Sequence, residues 1–257
     1  MHSSDTADAE SSGAIDERFM LRVFVGFALL ALAAVAISAG GKLLGRSIVL
    51  AGHTEDTTPR EIVIGNDVVV VPANAIRFER ERRDGVAPNL HLYLRWPDMT
   101  GYRAAARDDF NHAGGRRAIL FLSFEPRMMS RDMSGRYDPI YRALIDTTAG
   151  PGPGGLRVHA FSDKSGYANE QLLVGPRAGG APFVARCLSG PVASELLAEC
   201  ERDIFVGEEL SLTYRFPADL LADWRRLDAA VRSYAGTVVR SDADDAGASR
   251  QRFGRAG

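Results

Sequence analysis

Between Arg22 and Lys42 the chain runs for 19 residues without a charge, from Val23 to Gly41. Wound as a helix at about 1.5 Å per residue, that run is roughly 28 Å long, close to the thickness of a bilayer's hydrocarbon. Leu29, Leu30, Leu32, Val35 and Ile37 stand among alanines, and Ser38 is the one polar side chain inside the run. Arg22 and Lys42 are long enough to reach the two interfaces. The pattern predicts one transmembrane helix over residues 19–41, with the lipid bilayer as its partner. Ala34-Val35-Ala36 resembles a cleavage site, but the leading region is long and acidic where a signal peptide has a short basic one. An uncleaved signal anchor is the expectation. No cysteine follows the apolar run closely enough for lipidation.

Charge does not orient this segment. Arg18 and Arg22 on one side balance Lys42 and Arg46 on the other. A short first segment before a large second one favours a cytoplasmic tail and a periplasmic domain at a bacterial inner membrane. Residues 1–18 are rich in Ser, Asp, Ala and Glu and read as a disordered cytoplasmic tail. Residues 42–59 read as a juxtamembrane connector, 60–236 as an extracytoplasmic α+β domain, and 237–257 as a second disordered tail. The formal net charge of −2 gives no footprint for nucleic acid. Lys42 and Lys164 are the only lysines among 31 basic residues, an imbalance of the kind that a GC-rich genome imposes.

Within 60–236 the hydrophobic period is mostly two. Glu61–Val71 reads as two strands around Gly65-Asn66-Asp67, a hairpin turn signal. In Asn89–Trp96, Leu90, Leu92, Leu94 and Trp96 fall on one face and His91, Tyr93 and Arg95 on the other. Ala118–Phe124 is almost wholly apolar and predicts a central strand covered on both faces. A short helix is expected at 137–146. Ala149–Gly155 reads as a loop, because its prolines lack the N–H groups of a phosphate cradle. Strands are expected at Leu156–Ser162, Gln171–Gly175, Pro182–Leu188, Cys200–Val206 and Glu209–Phe216, with turns between them that predict a meander. Asp163–Glu170 reads as a hairpin turn rather than a calcium loop. Leu220, Trp224, Leu227, Val231 and Tyr234 recur at helical spacing after Pro217, which stands where an N1 proline would. That stripe predicts a C-terminal helix packed on the sheet and ended by Gly236. The fold class is α+β: a largely antiparallel sheet with helices against it.

The chain has two cysteines, Cys187 and Cys200. They lack a C-x-x-C spacing and a nearby histidine, so neither redox catalysis nor zinc fits them. A disulfide between them would join two strands if 182–188 and 200–206 pair antiparallel. Of the five histidines, none stands at metal-ligand spacing from another, and no cofactor motif occurs. Ser123, His91 or His159, and Asp98 would supply a triad only if folding united them, and no G-x-S-x-G surrounds a serine. Asp108, Asp109 and Asp132 read as solvated turn carboxylates. The densest unusual stretch is Glu125–Arg142, with four arginines, three methionines and two tyrosines. Arg116, Arg117, Arg127, Arg131, Arg136, Tyr137 and Tyr141 are the candidate surface for an envelope protein or an anionic ligand.

Four segments carry a resemblance: Val71-Pro-Ala-Asn-Ala-Ile-Arg-Phe78, Trp96-Pro-Asp-Met-Thr-Gly-Tyr102, Met129-Ser-Arg-Asp-Met-Ser-Gly-Arg136 and Cys200-Glu-Arg-Asp203. Their order resembles a group of single-span, membrane-anchored proteins of alphaproteobacteria. The resemblance implies the anchored topology and brings no catalytic residues. The functional expectation is a non-enzymatic, envelope-associated interaction module without a cofactor or metal. The alternatives are an anchored hydrolase or transferase acting on an envelope polymer, and a sensor domain for an anionic ligand.

Overall fold

The computed structural model describes residues 17–50, 52–112, 117–177 and 179–241, with the α1 side chains described over 18–35. It divides into two units, Met1–Gly52 and His53–Gly257. Of the expected tails, 1–16 and 242–257 lie outside the described residues.

The first unit is one helix, α1 (Glu17–Leu50). Its stretch Arg18–Val35 is long and apolar enough to cross a membrane, and none of it is buried. Phe24, Phe27 and Leu30 are each about two-thirds exposed or more. The helix continues past Gly41, the expected end, into the segment read as a connector. No proline stands between Val23 and Leu50 to stop it.

Among the described residues the second unit carries twelve strands in two sheets. Chain order is β1 (Pro59–Ile64), β2 (Asp67–Pro72), β3 (Gly85–Val86), β4 (Leu90–Arg95), α2 (Arg107–Phe110), β5 (Ile119–Pro126) and α3 (Arg142–Leu144). Then follow β6 (Gly150–Pro151), β7 (Arg157–Ala160), β8 (Glu170–Gly175), β9 (Phe183–Leu188), α4 (Pro191–Ser194), β10 (Cys200–Val206), β11 (Leu210–Phe216), α5 (Trp224–Val238) and β12 (Val239–Ser241). The large sheet runs β4-β5-β11-β10-β9-β8-β7-β6 and is antiparallel throughout. The small sheet runs β12-β2-β1-β3, with β1 and β3 parallel. The expected meander is therefore present: β6 to β11 lie side by side in chain order.

One face of the large sheet, the small sheet and α5 share a core. Leu90, Leu92 and Leu94 of β4, Leu120, Leu122 and Phe124 of β5, and Leu210, Leu212 and Tyr214 of β11 point into it. Ile62, Ile64, Val69 and Val71 meet them from the small sheet, and Trp224, Leu227 and Val231 from α5. The helix stripe thus packs as its spacing predicts. Its start differs: Pro217 precedes a 3-10 segment, Ala218–Asp223, and α5 begins at Trp224. Its end differs too. Gly236 stays helical, and Val239–Ser241 pairs with β2 where a disordered tail was expected. Val239 is β-branched, and pairing its strand with Val69 buries apolar surface that a tail would leave in water.

Several local expectations also change. Residues 137–141 form a π-helical turn, and only Arg142–Leu144 is α-helical. Ala149–Gly155 is more than a loop: it holds β6 and a 3-10 turn whose Gly154 carbonyl accepts from Trp224 Nε1 at 3.1 Å. Gly154 has φ +62°, and a Cβ there would stand 2.7 Å from the Leu221 carbonyl oxygen, so glycine is required. Asp67, read as a turn residue, is fully buried and accepts from the Glu208 and Glu209 amides at 2.9 Å each, tying the β10–β11 turn to the small sheet.

The second face of the large sheet is covered over only half its width. The segment after β5 folds across β8 and β9, where Met133, Tyr141, Leu172 and Val184 form a separate apolar cluster. Over β5 and β11, and over β4 apart from Tyr93, nothing equivalent lies among the described residues. This corrects the expectation for Ala118–Phe124. Leu120, Leu122 and Phe124 are buried, Phe121 and Ser123 are half-buried, and Glu125 is exposed.

Candidate functional site: a groove on the open half of the sheet

Strand alternation sets what the uncovered face presents. Register pairs His91 of β4 with Ser123 of β5, Ser123 with Thr213 of β11, and Thr213 with Asp203 of β10, so four polar side chains form a row. The adjacent row is Tyr93, Phe121, Arg215, Glu201 and Arg186. The chain between β9 and β10 rises beside these rows. Its residues Glu195, Leu196, Leu197 and Ala198 make one wall, and Arg77 stands at another. Together they enclose a groove of about 420 Å³ floored by His91, Phe121, Ser123, Thr213 and Arg215.

The wall is stapled at its base. Cys187 and Cys200 are directly paired residues of β9 and β10, 4.0 Å apart at Cα, and form the disulfide that sequence spacing allowed. The loop it closes is the loop that carries Leu196 and Leu197. Leu197 remains 42% exposed.

Polar groups around the groove are unevenly matched. His91 Nδ1 lies 3.0 Å from a Glu81 carboxylate oxygen, and its amide donates to the same carboxylate at 2.9 Å. Arg117 pairs with Glu199 at 2.9 Å and with Asp219 at 3.3 Å, and reaches the Leu196 carbonyl. Arg215 donates to the Ala198 carbonyl at 3.1 Å and has no carboxylate partner among the described residues. The Arg77 guanidinium makes neither hydrogen bond nor ion pair among the described residues; it lies 4.8 Å from the Phe121 ring centroid.

The triad partners separate. Ser123 and His91 face the same groove, but the Ser123 hydroxyl donates to Glu125 at 2.9 Å and no hydrogen bond joins it to His91. Asp98 is paired with Arg95, and His159 sits on β7 with its Nδ1 3.2 Å from the Asp146 carbonyl oxygen. Asp109 also lies by Arg95, at 3.4 Å, and Asp108 by Arg107. Asp132 caps a local turn by accepting from the Gly135 amide.

The predicted Arg/Tyr surface is dispersed. Arg116 lies outside the described residues. Arg117 belongs to the groove wall, as described. Arg127 stacks over Phe205 at 4.1 Å, and the Arg131 side chain is exposed. Arg136 forms an ion pair with Asp203, whose carboxyl burial pushes up from its usual range against the pull of that arginine. Tyr141 is buried in the cluster over β8 and β9, and Tyr137 packs against it. Beside Tyr137 a more polar hollow of about 460 Å³ opens toward Arg142, Asp146 and His159. Met128 and Met129 stay exposed. The groove residues Arg77, Thr213, Arg215, Leu196 and Leu197 were missed by sequence reading. The available signal was the alternation Ser211, Thr213, Arg215, which put polar side chains on one face of an apolar strand.

At the end of β4, a box of rings holds His53. It stacks on Tyr102 at 4.5 Å, meets Phe110 edge-on at 5.9 Å, and places Nδ1 3.1 Å from the Tyr93 hydroxyl. Residues 53–58 of the expected connector are therefore part of the globular unit. Burial pushes the Tyr93 phenol up to about 12. Burial lowers the His53 pKa, with Asn111 opposing and Arg82 and His112 adding to the lowering; burial and then Arg77 lower that of His112. Both imidazoles bind protons less readily folded than unfolded. Stability is then full above the unfolded value of about 6.5 and falls as pH drops through the folded values. Thermal melts at pH 7.5, 6.5 and 5.5 are expected to show a declining midpoint, and His53→Asn with His112→Asn is expected to flatten it. An unchanged slope in that double variant would place the effect elsewhere.

Among the described residues no group of three or more His, Cys, Asp or Glu could hold a metal ion. No protein family and no curated protein matches the chain in sequence. Among solved structures, an immunity protein of the Stenotrophomonas maltophilia type IV secretion system is similar at 17% identity, covering 74% of this chain and 96% of its own, with a TM-score of 0.45. The iron-regulated outer membrane lipoprotein FrpD of Neisseria meningitidis is similar at 7% identity, covering 72% of this chain and 98% of its own, with a TM-score of 0.39.

Proposed function

We propose that the chain is a single-span inner-membrane protein whose globular unit stands in the periplasm and binds, without transforming, a ligand in the groove. The observation that carries this reading is the disulfide Cys187–Cys200 at the base of the groove wall. Disulfides persist in oxidising compartments, and this one closes the loop that forms the groove wall. The α1 helix supplies the tether, because the apolar stretch Arg18–Val35 is not buried by any of the described residues.

Binding is favoured over acyl transfer on the geometry of the floor. The amides of β5 and β11 are committed to the sheet and the His91 amide to Glu81, so the groove floor offers no pair of backbone donors to hold an oxyanion. Ser123 gives its proton to a carboxylate and not to His91. One observation keeps an enzymatic reading in play: Glu81 holds His91 Nδ1, as the third member of a triad would.

Two measurements test the proposal. Protease added to intact spheroplasts is expected to digest the globular unit, and the released fragment is expected to shift in mobility with reductant. A protected unit with free thiols would move it to the cytoplasm. A fluorophosphonate probe for activated serines is expected to leave the full chain unlabelled. Labelling that Ser123→Ala abolishes would replace the binding role with a hydrolase.

A further inference from the structure

We infer that the groove takes an anionic amphiphile: one carboxylate or phosphate-monoester head on a short apolar body. The inference rests on the binding role proposed above and names the ligand class.

The head is specified by cations that the protein itself leaves unmatched. Elsewhere on the large sheet, Arg157 aside, arginines meet carboxylates: Arg136 meets Asp203, Arg186 meets Glu170 and Glu201, and Arg202 meets Asp228. Arg77 and Arg215 line the groove with no such partner among the described residues. The stacking of Arg77 on Phe121 holds its planar fork without using its donors. Arg215 uses one donor on the Ala198 carbonyl and keeps the others. The Thr213 hydroxyl, paired in register beside Ser123, makes no hydrogen bond among the described residues and offers one more donor. The single carboxylate with its side chain on the lining is Glu195, exposed at the rim. A guanidinium pair with a nearby hydroxyl is the donor set that a carboxylate or phosphate accepts bidentately.

The body is specified by the rest of the lining. Phe121, Leu196 and Leu197 present carbon, and Leu197 stays exposed on the lip. At roughly 30 Å³ for a water-sized group, 420 Å³ holds on the order of a dozen non-hydrogen atoms. That is the size of a medium-chain acid with its head.

An extended peptide fits less well. Peptides that bind sheets add to an edge, through main-chain hydrogen bonds. The groove lies on a face, and the β4 edge is already occupied: the Arg77 amide donates to the His91 carbonyl and the His91 amide to Glu81. The wall carbonyls of Leu196 and Ala198 are taken by Arg117 and Arg215.

The test uses the full chain in nanodiscs of zwitterionic lipid, with empty nanodiscs as background. Octanoate and octyl phosphate are titrated by calorimetry, beside octan-1-ol, octylammonium and a peptide with a free C-terminal carboxylate. One saturable site for octanoate, octyl phosphate or both is expected, and which head binds separates a fatty acid from a phosphate ester. Octanol is expected to bind at least tenfold more weakly, and octylammonium not at all. Arg77→Gln with Arg215→Gln is expected to weaken binding at least tenfold while leaving the thermal midpoint unchanged. Leu197→Asp serves as a second variant, should that pair disturb folding. Equal binding of octanol, unchanged affinity in the arginine variant, or silence from both anions would overturn the inference. Peptide binding where the amphiphiles are silent would also overturn it, yet leave the binding role standing. Failure of that role itself is read separately, from labelling of Ser123 by the fluorophosphonate.

Discussion

Asp228→Ala is expected to destabilise the globular unit by about 3–5 kcal/mol, because it strands a charge in the core. Arg202 of β10 is fully buried and gives Nε to Asp228 at 3.0 Å and Nη1 to the Val184 carbonyl at 2.6 Å. Asp228 of α5 also accepts from the Tyr214 hydroxyl at 2.9 Å and from Arg232 at 3.1 Å, with Arg177 at 3.8 Å. Burial works to raise the Asp228 carboxyl, but Arg202, Arg232 and the Tyr214 hydroxyl outweigh it and hold the group below its usual range. A depressed carboxylate stabilises above its unfolded pKa, and that stability is lost as pH falls through the folded value. Without Asp228, Arg202 keeps one carbonyl partner and a full charge. Urea unfolding of the full chain in neutral micelles measures the loss. Adding Arg202→Met to the Asp228→Ala variant is expected to recover part of it, since the stranded charge disappears. A loss under about 1 kcal/mol for Asp228→Ala alone would mean that water reaches Arg202.

Removing the disulfide is expected to cost about 3 kcal/mol. Cys187→Ser with Cys200→Ser frees a loop of the length for which chain entropy gives that figure. The cost has a second component here. The sulfurs point into the shared core, with Cys187 5% exposed and Cys200 fully buried, so two hydroxyls replace apolar atoms there. The same urea titration checks the stability. Octanoate affinity in the variant checks the wall, and weaker binding at unchanged fold is expected, because Leu196 and Leu197 lose their fixed base. Stability within about 1 kcal/mol of the parent would show that pairing of β9 with β10 alone sets the loop.

Local periodicity made most of the fold legible. The leucines of β4, the hairpin around Gly65 and the stripe from Trp224 to Tyr234 each follow from a period of two or 3.6. The cysteine pairing was legible too, because both strands around it could be placed. Segments of two or three residues, such as β3, β6 and β12, carry no period and were not seen. The groove escaped for a different reason. Alternation says which side chains leave the core face, but not which half of the second face another segment will cover. Segment 125–142 was read as a candidate surface, and it spends Met133 and Tyr141 on covering β8 and β9. The Arg202–Asp228 pair left a readable trace. Arg202 shares parity with Cys200 and Ile204, and Asp228 lies one turn from Trp224, so both are polar residues at apolar positions.

The pairing of β12 with β2 sets an order of assembly. The β1–β2 hairpin emerges early from the ribosome and pairs Val69 with Ile62, but Val69 finds its second cross-strand neighbour only when Val239 has been made. Trp224, Leu227 and Val231 close the core from the same late stretch. Until then Ile62, Ile64 and the leucines of β4 and β5 have half their covering missing. Contacts so distant in sequence form slowly. The nascent chain therefore carries a sticky, incomplete face through almost all of its synthesis, and a chain broken off before Trp224 is marked for proteolysis by that face alone.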